Sequence, residues 1–265
     1  MLLLLVQTLV GFAVVIWESG STLFGSEITF AEADALMLES MYANQTVILL
    51  ISDIFILLAL WWMAKRRKQS FGEFTDLALS SRKALMVLAA AAGLAAAFWG
   101  TIAVNIAPWP EEMIESYVVE SAMLTSERSV VDFLAVVIAV PLVEELLFRG
   151  IIYRSFCQLT PAGLAVVFQG MLFASVHGTF IWMLYAFFLG CILGYVRKRT
   201  GSVRPCILMH VMFNASSYLF DLFSARYAED MATVTFVFIA SAFVLLLCMY
   251  GISFRTDSAE ENHNP

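Results

Sequence analysis

Residues Val130 to Cys157 read VVDFLAVVIAVPLVEELLFRGIIYRSFC, and how this stretch accommodates its charges decides what kind of molecule the chain makes. Val130 to Phe148 is long and apolar enough to cross a bilayer, which takes about 20 mostly apolar residues, and the helical pattern extends to Cys157. Yet it carries Glu144, Glu145 and Arg149, and a charge at the bilayer centre costs about 2.5 to 3.5 kcal/mol on insertion scales. The rest of the chain says which solvent surrounds them. Of 265 residues, 61% are hydrophobic and 14% charged, and the mean hydropathy is +0.83, against roughly 25% charged in a soluble domain. So many apolar residues cannot be hidden in one core of this size, and lipid is the natural solvent. With only 14 Gly and 6 Pro, collagen-like and disordered classes are excluded.

Eight segments have the length and hydropathy of membrane helices: Leu2 to Trp17, Thr46 to Ala64, Ala84 to Ile106, Val130 to Phe148, Pro161 to His177, Phe180 to Val196, Pro205 to Phe220 and Ala232 to Phe254. The fold class is an all-α polytopic bundle. Residues 1–129 hold helices one to three with their outer loops, 130–220 helices four to seven, 221–255 the final helix, and 256–265 a disordered cytoplasmic tail. The first segment lacks the basic start and small-residue cleavage site of a signal peptide and is read as a retained helix, with a cleaved signal as the alternative. Short cytoplasmic loops collect Lys and Arg. With the amino terminus inside, all of the 15 basic residues except Arg128 and Arg226 fall on the cytoplasmic side, both termini included. The acidic stretches 18–39 and 111–127 face outward.

The net charge of -7 and the scatter of basic residues in short clusters argue against nucleic acid as a partner. Cys157, Cys191, Cys206 and Cys248 lie in or beside apolar stretches and form neither a disulfide framework nor a CxxC metal motif. Trp61 and Trp62 before Lys65 to Lys68 mark a membrane edge, with anionic lipid as a secondary partner. Gly190 and Gly194 form a GxxxG that permits close helix packing. Asp53, beside Ser52, reads as an interior hydrogen-bonded structural acid or a helix-packing contact, with a functional role as the alternative. Trp109, Glu111, Glu112, Glu115 and Tyr117 can begin an amphipathic outer helix.

Within the fourth segment, Pro141 is expected to bend the helix. Glu145 and Arg149 are four apart with the acid first, the favourable order for a helical ion pair. Glu144 points about 100° away around the helix and is the carboxylate left for chemistry. Of three histidines, His263 lies in the tail and two lie in apolar segments. Phe173 and His177 stand four apart, as do His210 and Asn214, each pair on one helix face. A carboxylate with imidazoles and a carboxamide is equipment for activating water and stabilising an oxyanion. A structural ion-pair network is the plainer use of the same charges.

These motifs, EExxxR at Glu144 to Arg149, FxxxH at Phe173 to His177 and HxxxN at His210 to Asn214, resemble the CPBP family. It comprises CAAX prenyl proteases of the Ras-converting-enzyme type and the bacteriocin-processing and immunity (Abi) proteins. The resemblance implies an intramembrane endopeptidase, its site between helices four, five and seven, acting on a membrane-tethered protein or peptide by CAAX-type or leader-peptide processing. It implies that Glu144 activates water with His177 assisting, that His210 and Asn214 form the oxyanion hole, that Glu145 and Arg149 hold the arrangement, and that Phe173 packs beside His177. No cofactor is favoured; a zinc site of Glu144, His177 and His210 stays open. The composition leans toward a bacterial cell membrane. A catalytically silent scaffold or immunity protein of the same fold is the alternative. One geometric tension stands: His210 lies six residues past the basic edge at Arg204, whereas His177 lies near the opposite end of the next helix.

Overall fold

The computed structural model describes residues 2–25, 29–79, 81–125 and 129–261. The elements are α1 (Leu2–Gly25), α2 (Phe30–Ala43), α3 (Gln45–Arg66), α4 (Phe71–Phe74), α5 (Lys83–Ile106), α6 (Glu111–Thr125), α7 (Val130–Leu134), α8 (Val140–Glu145), α9 (Tyr153–Cys157), α10 (Ala162–Ala174), α11 (Phe180–Thr200), α12 (Arg204–Tyr227) and α13 (Met231–Glu261). Two π-helical segments, Ala135–Ala139 and Leu146–Ile152, join α7, α8 and α9 into one run over 130–157. Helix covers most of each of the eight apolar segments, although Pro161 to His177 is helical only over Ala162–Ala174. By length and composition, five described helices can cross a membrane alone: α3, α5, α11, α12 and α13, the last over Met231–Thr256. Val6–Gly20 and α10 are shorter apolar helices. The chain is an all-helical, multi-pass integral membrane protein. Its outer surface fits lipid: α13 exposes Phe236, Ile239, Phe243, Leu246, Leu247 and Tyr250.

Helices beyond the apolar segments are α2, α4 and α6. The capping box of Thr29 and Glu32 starts α2, and that of Ser70 and Glu73 starts α4. Hydropathy alone passes over α2 and α4 because each is short and carries acidic residues, whereas α6 is the amphipathic helix expected from Glu111 onward. The expected tail differs as well, since α13 continues to Glu261. Its added residues include Ala and Glu, good helix formers, and Thr256 Oγ1 donates back to the Ile252 carbonyl at 3.1 Å. Residues 262–265, with His263, lie outside the described residues.

Polar contacts sort the two ends. Arg154, Arg197 and Arg204 all bond to residues 74–77, and Arg82 and Arg199 bond to the carbonyls of Arg255 and Ser253. At the other end Tyr42, Glu112, Glu115 and Thr179 line one cleft, and Thr46 donates to Asp132 at 2.5 Å. One basic residue leaves this division: Arg149, counted above as a cytoplasmic-edge charge, is fully buried. It lies inside because Glu145 neutralises it there.

The core that positions the site is the α10–α11 pair against 130–157 and α12. A Cβ on Gly190 would lie 3.0 Å from the Gly170 Cα, so the glycines let the two backbones almost touch. The GxxxG expectation is met: Gly194 likewise packs on Gln169.

Candidate active site

Pro141 sets the local geometry of the site. Its ring excludes the carbonyl four residues back and it has no N–H, and the chain answers with π-helix before the proline. The Val140 N–H bonds to Ala135 O, five residues back. The next carbonyl in that register, Val136, would need the N–H of residue 141, which proline lacks. Asn214 Nδ2 supplies the missing donor, 2.8 Å from Val136 O. A proline on one helix and an asparagine on another are thus two halves of one hydrogen-bond repair, of the kind expected where membrane helices lose backbone bonds.

One turn on, Glu144 and Glu145 end α8 and the second π-helical segment begins. Glu145 Oε1 accepts from Arg149 Nη1 at 2.8 Å and from His210 Nδ1 at 2.9 Å, with Glu145 and Arg149 both at 0% exposure. The predicted ion pair is therefore present. Arg149 is also held by Gly190 O, 3.2 Å from Nη2, and its guanidinium lies 4.5 Å from the Phe173 ring centroid. Arginine suits this place because its planar fork bonds and stacks at once. Gln169 Nε2 shares the Gly190 carbonyl at 2.7 Å.

His210 is buried between the two carboxylates, with Nδ1 on Glu145 and Nε2 3.8 Å from Glu144 Oε2. A carboxylate accepts, so Nδ1 carries the hydrogen; Nε2 is a lone pair in the neutral ring and a donor in the imidazolium. The distance to Glu144 exceeds a direct hydrogen bond and matches a gap that one water can bridge.

His177 departs from its expected setting. Helix α10 ends at Ala174, and the chain turns through Gly178, whose φ of +53° glycine adopts without strain. His177 therefore sits in the turn, not on a helix face. It still meets Phe173, ring centroids 4.4 Å apart, and its Nδ1 donates to the Phe173 carbonyl at 2.6 Å. Phe173 joins the parts: its ring also meets Phe148 at 5.0 Å and His210 at 5.8 Å. The height tension resolves here: the one Phe173 ring meets both imidazoles, His177 at 4.4 Å and His210 at 5.8 Å, so the two histidines lie at the same level of the bundle.

Glu144, Glu145, Arg149, Phe173, His177 and His210 thus converge, and Asn214 lies one turn beyond His210 on α12. Asp53 on α3 also belongs to this neighbourhood. It is buried, its Oδ2 has no hydrogen-bond partner, and it is near enough to Glu144 for the two carboxylates to act on each other. The expected hydrogen-bonded structural role does not account for that atom; the available signal was an acid inside an apolar helix.

A catalytic zinc site takes three protein ligands and an open position. Among the described residues no group of three or more His, Cys, Asp and Glu side chains is set to hold a metal ion. Each histidine Nδ1 is bonded, to the Phe173 carbonyl or to Glu145, in the manner common for metal-ligating imidazoles, so the donors that would hold a zinc are the two Nε2 atoms and the Glu144 carboxylate.

Fold and site together define a multi-pass membrane protein with a buried Glu/His cluster. Residues 126–216 match the family model described as type II CAAX prenyl endopeptidase Rce1-like, a span that contains all seven motif residues. The three motifs and this match point to the same protease family. No curated protein and no solved structure matches the chain.

Proposed function

We propose that the protein is an intramembrane endopeptidase that hydrolyses a peptide bond in a membrane-tethered protein or peptide, by CAAX-type or leader-peptide processing, without a metal. The observation that carries this reading is the His210 ring set between Glu144 and Glu145. Water held by Glu144 attacks the scissile carbonyl, and its proton passes to the Glu144 carboxylate. His177, whose Nε2 bears the lone pair in the neutral ring, assists. The oxyanion is met by Nε2–H of His210 in its imidazolium form, with Glu145 as the counter-charge, and by the second amide hydrogen of Asn214, the first being committed to Val136. Glu144 then returns the proton to the leaving amine as the C–N bond breaks. The products are a carboxylic acid and an amine, which transfer the remaining water proton to separate as carboxylate and ammonium.

The test is cleavage of two peptide sets, prenylated carboxyl-terminal peptides and unmodified leader-type peptides, by purified protein in lipid vesicles. Wild type is expected to cleave one set and to do so after exhaustive chelation. Glu144→Gln, His177→Ala and His210→Ala should each lower kcat/KM by about 100-fold or more at equal protein abundance. Cleavage persisting in all three variants overturns the assignment, and loss on chelation overturns the metal-free mechanism. Partner binding with no cleavage by wild type supports the scaffold reading.

A further inference from the structure

The site rests on a segment outside the matched region. Residues 70–79 cross the basic end of the bundle as a strap and hold three parts of it. Arg154 of α9 donates to the Phe74 carbonyl at 2.9 Å and to Asp76 Oδ1 at 3.0 Å. Arg197 of α11, itself buried, pairs with Asp76 Oδ2. At the start of α12, Arg204 Nε donates to Leu77 O at 2.8 Å, and Ser202 Oγ donates to Leu79 O at 2.9 Å. The strap also lies directly on the π-helical segment: a Cβ on Gly150 would stand 2.7 Å from the Thr75 carbonyl oxygen. Only glycine allows that approach.

From Asp76 a continuous set of polar contacts runs to the reacting groups. Arg197, oriented by Asp76, donates from Nε to the backbone carbonyl of Arg149 at 3.2 Å. The Arg149 side chain bonds Glu145, and Glu145 bonds His210 Nδ1. Asp76 has φ +59°, a left-handed conformation that aspartate tolerates better than most residues, held by the local turn bonds of 72–79 together with the two arginines. An exposed loop acid would need neither this backbone nor two arginines from different helices.

We propose that Asp76 is a positioning residue for the site, fixing through Arg197 and Arg149 the place of the Glu145–His210 pair. Its effect on turnover rests on the proteolytic reading above, whereas its effect on His210 does not. The test uses full-length Asp76→Asn and Asp76→Gly. Asparagine keeps the shape and tolerates positive φ, and glycine removes the carboxylate while relaxing the backbone, so neither variant forces the strap open by strain. With only three histidines in the chain, [15N]histidine labelling assigns His210 by its loss in His210→Ala. In both variants the His210 Nδ1–H resonance should move while that of His177 stays, and kcat should fall about tenfold at unchanged KM, as for other residues that orient a site through an intermediary. An unmoved His210 resonance in both variants overturns the proposal whatever the activity, and so does a moved resonance with unchanged kcat. If wild type cleaves nothing, the proteolytic reading fails and the resonance alone decides the positioning link.

Discussion

Asn214 and Pro141 show how one residue can answer another across the bundle. The amide of Asn214 bonds the carbonyl that π-helix and proline together leave without a donor. Asn214→Ala should therefore destabilise the fold by about 1 to 3 kcal/mol, the cost of an orphaned polar group away from water. In a Pro141→Ala background the backbone regains its N–H, and the cost should shrink by at least half. Denaturation in detergent of the two single variants and the double variant measures the coupling. Strict additivity would show that Asn214 does not serve this carbonyl. The pair also marks what was legible: Asn214 stands out as an amide four residues from a histidine, and Pro141 as a proline in an apolar helix. Nothing in either local pattern tells that they meet, since the link exists only when 130–157 packs on α12.

At the level of elements, the apolar segments were readable because lipid demands long hydrophobic runs, and helix covers most of each, five of them in helices long enough to span a membrane. The π-helical segments, the end of α10 before His177 and the strap were not, because each depends on contacts between distant parts of the chain. Gly190 lies between these cases, visible as GxxxG but with an added duty in offering its carbonyl to Arg149 and Gln169. Gly190→Ala should push α10 and α11 apart by a few tenths of an ångström, destabilise by about 1 to 3 kcal/mol and lower turnover by loosening Arg149. Unchanged melting and unchanged turnover would contradict that packing. The strap has its own pH dependence. Bonds from the Ser70 hydroxyl and backbone N–H hold the exposed Glu73 carboxyl below its ordinary value. A depressed carboxyl contributes stability that is complete above the ordinary glutamate pKa, about 4.3, and is lost as pH falls through the lower folded value. Amides of 70–79 should lose hydrogen-exchange protection below about pH 4, after correction for intrinsic rates. Ser70→Ala should show weaker protection already at pH 6.

For the whole molecule, the two ends are chemically different. Arginines from α9, α11 and α12, with Arg82 before α5, gather on the strap and on the end of α13, while the cleft at the opposite end is lined by Glu112 and Glu115. Short loops rich in Lys and Arg resist translocation, so the expected orientation has the strap end in the cytoplasm and the α2 and α6 end outside. Cys157 offers a native reporter, since it closes α9 just past Arg154 and is exposed. In intact cells a membrane-impermeant maleimide should leave Cys157 unlabelled and should label it once the membrane is opened. A Glu112→Cys variant carrying Cys157→Ser should react from outside without permeabilisation. Reversed labelling would place the strap outside and overturn this orientation. With the expected pattern, Asp76 stands between the cytoplasmic aqueous face and the buried Glu145–His210 pair, and its contacts with Arg154 and Arg197 close that end of the bundle over the pair.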